Sequence, residues 1–171
     1  YVLNGLREGD EAVYARFNLI PVLSDPAQVQ VWNTFSRKKQ KCLKAALHFD
    51  TGMTRTGIPS QHIKSLDLAD LSHTEIVCVM SHLACAYQST HPMNETQRLL
   101  FETIQSRFPF ALASLSGSGG FFIAPEYHYD LIRAGLALTG CRSTVAHGDY
   151  TLKPALKAYA QILQINEIAR G

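Results

Sequence analysis

The chain has 171 residues, of which 46% are hydrophobic and 18% charged, and its formal net charge is +2. This length predicts one domain with a sizeable core, and so small a charge without a basic stripe gives no indication of nucleic-acid binding. No apolar run reaches the roughly 20 residues of a membrane-spanning helix, and the four cysteines form neither a CxxC pair nor a zinc-ligand spacing. We therefore expect a cytoplasmic protein with reduced thiols, no metal site and no membrane contact.

Short apolar runs alternate with amphipathic stretches along the chain. Val2-Leu3 and residues 19–23 predict two short strands, and Asp10 can cap a helix between them. Ser24-Asp25-Pro26 then combines a capping residue with a proline at the first helical turn, which predicts a helix that ends near Lys39. Strands that alternate with helices in this way are typical of βαβ units.

Three further apolar runs predict the centre of the sheet. Residues 42–49 end abruptly at Asp50, and residues 75–82 show no alternation, which indicates a strand covered on both faces. Residues 109–115 form the third run. Before it, Asn94 is expected to cap a helix with four inward side chains, which are Leu99, Leu100, Phe101 and Ile104.

A sixth strand is predicted at residues 129–138. Six parallel strands fall short of the eight strands and about 250 residues of a closed barrel, so residues 1–140 predict an α/β fold, a partial (β/α)8 TIM barrel of about six βα units. Residues 141–171 predict a linker and the first strand of a C-terminal β domain, at about 155–168. A strand at each end indicates a piece of a longer protein, whose unpaired sheet edges would make it poorly soluble alone.

Polar groups follow four of the predicted strands. Because the carboxyl ends of parallel strands meet at one edge of a sheet, these groups are expected to converge on a single site. They are the turn Asp50–Arg55, His82, the turn Ser116–Gly120 and the segment Arg133–Gly135. The serine- and glycine-rich turn offers hydroxyls and unhindered N–H groups that suit a phosphate, and a plain flexible turn is the alternative.

Each candidate side chain also has a purely structural interpretation. Arg133 lies in an apolar run, where a salt bridge to Asp130 or Glu126 competes with ligand binding. Arg55 is either a solvated loop residue or a ligand for a carboxylate or phosphate. A lone histidine at a strand end, such as His82, is more often structural than a catalytic base.

Four segments, in chain order, carry a family resemblance. Residues 50–57 follow the pattern Asp-Thr-Gly-Met-x-Arg-x-Gly, and residues 80–86, Met-Ser-His-Leu-Ala-Cys-Ala, contain a Ser-His-Leu/Phe-Ala element. Residues 116–120 lie at the place of an Ala-Asn-Ser-Ala-Gly element, and residues 125–140 resemble a His-Phe-Asp-Leu-Val-Arg-Pro-Gly-Ile-Ala-Leu-Tyr-Gly segment. These patterns, in this order, are similar to those of the pyridoxal-phosphate-dependent alanine racemases of fold type III, and the chain is identified as a member of that family.

The resemblance implies pyridoxal 5'-phosphate as the cofactor and alanine as the amino-acid substrate. The family interconverts L- and D-alanine for peptidoglycan synthesis, as a homodimer in its full-length form. Ser118 and the backbone of Gly135 and Leu136 would hold the cofactor phosphate. Arg133 would face the pyridine nitrogen. A cationic partner leaves that nitrogen unprotonated, so the ring is a weaker electron sink.

Two further roles follow from the same resemblance. Arg55 would bind the substrate carboxylate and touch the phenolic side of the cofactor. His82 would support a catalytic tyrosine supplied by the β domain of a partner subunit, so its own role is supporting only.

The departures from the family pattern concern catalysis. The Lys-Ala-x-Ala-Tyr-Gly-His motif of the Schiff-base lysine and the catalytic tyrosine motif are both absent from this sequence. His48 stands where some members carry a modified lysine, and Gly117 and Ala134 replace an asparagine and a proline. We expect a fragment that is inactive alone. The alternatives are a degenerate, non-catalytic remnant that binds pyridoxal phosphate or phosphate, and a racemase of another amino acid such as serine.

Overall fold

The computed structural model describes residues 1–63, 71–141 and 151–169. Its elements run from an N-terminal helix, through the strands and helices of the sheet, to a series of short helical turns. The elements are α1 (Glu11–Arg16), β1 (Val22–Leu23), α2 (Pro26–Lys38), β2 (Leu43–Asp50), β3 (Ile58–Pro59), β4 (Thr74–Met80), α3 (Pro92–Gln105), β5 (Leu112–Ser114) and α4 (Ser118–Phe121), with 3-10 turns at Ser60–His62, Pro125–Tyr127 and Leu136–Thr139.

The strands form one parallel sheet in the order β1-β2-β4-β5, and β3 pairs with the last two residues of β2. Val22 pairs with Ala46, Ala46 pairs with Cys78, and Cys78 pairs with Leu112, so one row of partners crosses the whole sheet. Within the described residues β1 and β5 do not pair, and the sheet is open. The prediction of a parallel, partial barrel is therefore confirmed.

Side chains alternate between the two faces of the sheet. On one face, Leu47 and Val79 pack with helix residues such as Trp32 and Phe101, and all four are buried. The opposite face carries a smaller buried group, formed by Val22, Ala46, Cys78 and Met80. The helices therefore cover one face, and the other face is the concave interior of the incomplete barrel.

The helix starts differ in how well the sequence predicted them. At α2 the carboxylate of Asp25 accepts the N–H of Ala27 at 2.7 Å, as expected of the capping residue. At α3 the prediction was wrong, because His91 caps the helix through its ring Nδ1 and Asn94 lies buried one turn inside. The side chain of Leu99 is also 51% exposed and does not point inward.

Each of the first and sixth predicted strands is reduced to a single bridging pair of residues. Val2 pairs only with Pro21, because the chain turns at Gly5 with φ +76°. Residues 129–138 do not form a strand; Arg133 alone pairs with Gly117. The N–H groups of Gly135 and Ala137 bond to Ser118 Oγ instead of to a neighbouring strand, and this turns the chain into the 3-10 turn that follows.

The C-terminal strand predicted at about 155–168 is not formed. Residues 151–169 have neither helix nor strand, and they are almost all exposed. A strand needs a neighbouring strand to share its ladder of hydrogen bonds. Among the described residues this segment contacts the 3-10 turn, where the N–H of Ala155 donates to the carbonyl oxygen of Thr139 at 3.2 Å, and it has no strand partner. The expected linker lies mostly in residues 142–150, outside the described part of the chain, so the boundary after residue 140 stays a prediction. No described helix has the length and apolar character needed to cross a membrane.

Candidate functional site

The turn after β2 is closed by its own aspartate. Asp50 Oδ1 accepts the N–H groups of Gly52, Met53 and Thr54 at 2.9, 2.9 and 3.1 Å, so the carboxylate serves the turn rather than a ligand. Gly57 has φ +120°, and a Cβ there would lie 2.7 Å from the backbone nitrogen of Asp50. The turn is therefore tightly packed against the strand end, and it presents the exposed Arg55 outward.

Arg133 spans the ends of β4 and β5 with its guanidinium group. Nη1 donates to the carbonyl oxygen of Ser114 at 2.9 Å and to its hydroxyl. Nη2 donates to the carbonyl oxygens of Ser81 and Leu115 and, at 3.1 Å, to Nδ1 of His82. Partial burial lowers the pKa of Arg133 to about 10, which still leaves it a cation at neutral pH.

No carboxylate pairs with Arg133 among the described residues, where Arg98 for example pairs with Glu95 and Glu102. The salt bridge weighed as an alternative is therefore not formed. One oxygen of Asp130 accepts the N–H of Ala113 at 2.8 Å instead. A partly buried cation held only by neutral acceptors is costly, and it favours an electron-rich or anionic ligand nearby.

His82 and His48 are both held neutral. Burial, followed by the positive charges of Arg133 and Arg55, lowers the pKa of His82 to about 4. Burial and the charge of Arg133 likewise lower the pKa of His48 to about 4, and its Nδ1 lies 3.4 Å from Ser24 Oγ. Because a guanidinium only donates, Nδ1 of His82 accepts, and its proton resides on Nε2.

Ser118 lies at the start of α4 and joins the two segments of the predicted phosphate site. Its Oγ accepts the N–H of Gly135 at 2.9 Å and of Ala137 at 3.1 Å. Between them, the N–H of Leu136 has no assigned acceptor within the described residues. A Cβ added at Gly135 would meet nothing within 4 Å, so the space beside this serine is open.

The predicted residues are brought together to different degrees. His82 and Arg133 are in direct contact, and a Cβ at Gly117 would lie 3.0 Å from the ring of His82, so the serine-rich turn abuts the same histidine. Arg55 acts on this cluster through its charge, which helps to lower the pKa of His82. A cavity of about 250 Å³ adjoins the cluster on the concave face, lined by Tyr1, Leu3, Met80, Leu131 and Arg133.

Several buried polar residues of this region were not predicted from the sequence. Ser81 Oγ lies 2.7 Å from Thr51 Oγ1, and the amide of Gln97 reaches both the threonine and the backbone of His82. Ser114 is fully buried beside Arg133. The one available signal was a glutamine on the apolar face of α3, four residues before Phe101.

Comparisons with known proteins agree on one family. A family model described as alanine racemase, N-terminal domain, matches residues 1–143. A catabolic alanine racemase of Mesorhizobium japonicum is 38% identical over 173 residues, which cover 100% of this chain and 45% of that protein. An alanine racemase of Rhodospirillum rubrum is 40% identical over 171 residues, which cover 98% of this chain and 45% of that protein.

A solved structure gives the same result. The alanine racemase of Bartonella henselae, determined with covalently bound pyridoxal phosphate, superposes with a TM-score of 0.82 and 30% sequence identity. The superposition covers 90% of this chain and 45% of that one. The chain thus spans less than half the length of the relatives that it matches. On these grounds, the chain belongs to the alanine racemase family.

Proposed function

We propose that the chain supplies the pyridoxal-phosphate-binding part of a racemase that interconverts L- and D-alanine. The observation that carries this proposal is the guanidinium of Arg133, which has no carboxylate partner among the described residues and contacts a neutral histidine. Such a group donates hydrogen bonds and cannot accept them, which suits an unprotonated pyridine nitrogen. Nε of Arg133 has no assigned partner in the described part of the chain and could make this bond.

The residues near Ser118 suit the phosphate of the same cofactor. A serine hydroxyl and the N–H of Leu136 are phosphate donors, and the open space beside Gly135 leaves room for a bulky anion. When bound, pyridoxal phosphate withdraws electrons from the α-carbon of an amino acid and makes its proton acidic. The chain would hold this cofactor at its phosphate through Ser118 and at its ring through Arg133.

The remaining roles concern the amino acid and its protons. The exposed guanidinium of Arg55 would bind the substrate carboxylate. His82, neutral at pH 7, would offer its Nε2–H to a tyrosine of a partner subunit in a homodimer and so orient that residue. We further propose that the reaction takes place in the cytoplasm and provides D-alanine for peptidoglycan.

A second candidate is cofactor binding without catalysis. It is favoured by one observation, namely that neither the Schiff-base lysine motif nor the catalytic tyrosine motif occurs in this sequence. Serine in place of alanine as substrate is a variant of the first proposal, and none of the described residues argues for it.

Titration with pyridoxal phosphate, followed by its absorbance and by quenching of Trp32 fluorescence, tests the proposed cofactor site. We expect saturable binding that weakens at least about tenfold in Arg133→Met, because a hydrogen bond to a charged group is worth about 1.5–3 kcal/mol. Arg16→Met, which removes an exposed arginine of α1, is the matched control and should bind as the unaltered chain does. Equal affinity of a folded Arg133→Met chain would overturn the proposal.

A further inference from the structure

A fully buried amide lies directly beneath the candidate site. Gln97 on α3 is 0% exposed. Its Nε2 donates to Thr51 Oγ1 at 3.1 Å and to the carbonyl oxygen of His82 at 2.9 Å, and its Oε1 accepts the N–H of Ala84 at 2.8 Å. Both N–H bonds of the amide are therefore in use, on two different loops.

These contacts join the loop after β2 to the loop after β4. Thr51 Oγ1 lies 2.7 Å from Ser81 Oγ, so the glutamine, the threonine and the serine form one buried chain of hydrogen bonds. A Cβ at Gly52 would lie 3.7 Å from Gln97 Cγ, so the turn that carries Arg55 also packs on this side chain. One residue of α3 thus reaches the strand ends that bear Arg55 and His82.

Packing alone does not explain a glutamine at this position. The neighbouring inward residues of α3, Phe101 and Ile104, are apolar and 0% exposed, and a methionine or leucine would fill the same space. Burying an amide costs free energy unless each of its polar atoms is bonded. The three bonds of Gln97 offset that cost, and all three partners belong to the loops of the candidate site.

We propose that Gln97 is a positioning residue, which fixes the backbone of His82 so that its Nδ1 meets the guanidinium of Arg133. Arg133 holds the ring of this histidine and Gln97 holds its carbonyl oxygen, so the two residues together determine the direction of the Nε2–H bond. The same amide, through Thr51, fixes the start of the Arg55 turn relative to His82. The consequence for ligand binding rests on the proposed function; the geometric role does not.

The test is the state of the His82 ring in the full chain, read by NMR of its nitrogens in Gln97→Met. In the unaltered chain we expect an unprotonated Nδ1, because Arg133 donates to it, and a depressed pKa, because burial and then the charges of Arg133 and Arg55 disfavour the charged ring. In the variant the ring should leave Arg133, and its pKa should rise from about 4 to above about 5, toward the ordinary value near 6.5.

Asn94→Leu is the matched control. Asn94 is a second buried amide of α3, and its Nδ2 donates to the carbonyl oxygens of Cys85 and Gln88, away from His82. Both variants should lower the melting temperature, but only Gln97→Met should change the ring of His82. Where Gln97→Met does not fold, Gln97→Asn keeps a buried amide that is one methylene too short, and the same change is expected.

An unchanged His82 pKa and tautomer in a folded Gln97 variant would overturn the proposal. So would an equal change in Asn94→Leu, because the effect would then be a general loosening of α3. Pyridoxal phosphate titration of the same samples separates the two proposals. A chain that never binds the cofactor contradicts the proposed function. The effect of Gln97 on the tautomer and pKa of His82 is measured without the cofactor and does not depend on that result.

Discussion

At the scale of single residues, the centre of the candidate site is the cation Arg133 with two neutral imidazoles. Arg133 lowers the pKa of both His48 and His82, with burial as the larger cause. A ring that resists protonation in the folded chain, but not in the unfolded chain, links stability to pH. The site therefore has a thermodynamic signature that does not depend on any ligand.

We expect the free energy of unfolding to fall as the pH is lowered from about 6.5 to about 4. The unfolded chain takes up protons in this range that the folded chain excludes, and each histidine contributes at most about 1.4 kcal/mol per pH unit. Urea unfolding at a series of pH values measures the slope. His48→Gln should remove part of it, and a stability that rises on acidification across this range would contradict the assignment.

Ser118→Ala should weaken pyridoxal phosphate binding by about tenfold, the equivalent of roughly one hydrogen bond to a charged group. Ser116→Ala is the matched control, because Ser116 lies in the same turn as Ser118 and its buried hydroxyl donates to the carbonyl oxygen of Tyr127. The control should lose stability and keep its affinity. Titration by absorbance gives both constants, and equal affinities for the two variants would exclude a phosphate role for Ser118.

The sequence predicted that His82 follows a buried strand at one edge of a parallel sheet, whereas the strand predicted around Arg133 is only a single bridge to Gly117. It did not predict the partners of Arg133. Ser114 meets Met80 through the register of β4 and β5, and no local pattern encodes a register between distant strands. Whether these residues hold a cofactor stays a prediction.

At the scale of elements, the turn that follows β2 is the most constrained part of the site. β3 pairs with the last residues of β2, so the turn closes on the strand from which it departs. The sequence predicted this turn from its aspartate and glycines. Its closure by β3 was not predicted, because two paired residues produce no periodic pattern.

Gly57→Ala should destabilise the chain more than Gly9→Ala. Both glycines have positive φ, +120° and +97°, so both variants carry backbone strain on the order of 1–2 kcal/mol. Only Gly57 faces backbone atoms at 2.7 and 2.8 Å, whereas a Cβ at Gly9 meets nothing within 4 Å. We expect a further cost of about 1–3 kcal/mol, measured by urea unfolding. Equal losses would show that the turn can shift freely.

Local sequence patterns were a poor guide to strand formation where the chain leaves the sheet. The apolar run at residues 129–138 predicted a strand, but two of its N–H groups donate to Ser118 Oγ instead of to a neighbouring strand. Residues 151–169 also have apolar residues at strand-like spacing, but strand pairing depends on a neighbour and not on the segment itself, so the first strand of a C-terminal β domain stays a prediction. Central strands were predicted correctly because burial on both faces leaves a continuous apolar run.

At the scale of the whole molecule, the 171-residue chain should not racemise alanine by itself. Its sequence lacks both the Schiff-base lysine motif and the tyrosine motif, and general acid–base catalysis alone is worth about 10²–10⁴-fold in rate. Incubation with L-alanine and pyridoxal phosphate, followed by chiral chromatography, measures the product, with an active alanine racemase as the positive control. Robust D-alanine formation, or a borohydride-trapped adduct on one lysine, would contradict this expectation.

The exposed C-terminal segment should make the chain self-associate. Ile162 and Ile165 are 73% and 81% exposed within residues 151–169, and apolar side chains in an unpaired extended segment favour intermolecular pairing. Replacing both by lysine should shift sedimentation toward the monomer. Gln161→Lys with Gln164→Lys adds the same charge at neighbouring polar positions and should have the smaller effect. Identical behaviour of the two variants would assign the effect to charge alone.

The row of partners Val22, Ala46, Cys78 and Leu112 has a consequence for how the chain folds. Along this row each residue pairs with one roughly 30 residues away, so these three ladders close loops of similar length, whereas the short β2–β3 ladder is local. Yet each central pair joins strands that follow each other along the chain, apart from the two-residue β3. The sheet can therefore grow in one direction, each new strand docking on the previous one as it leaves the ribosome.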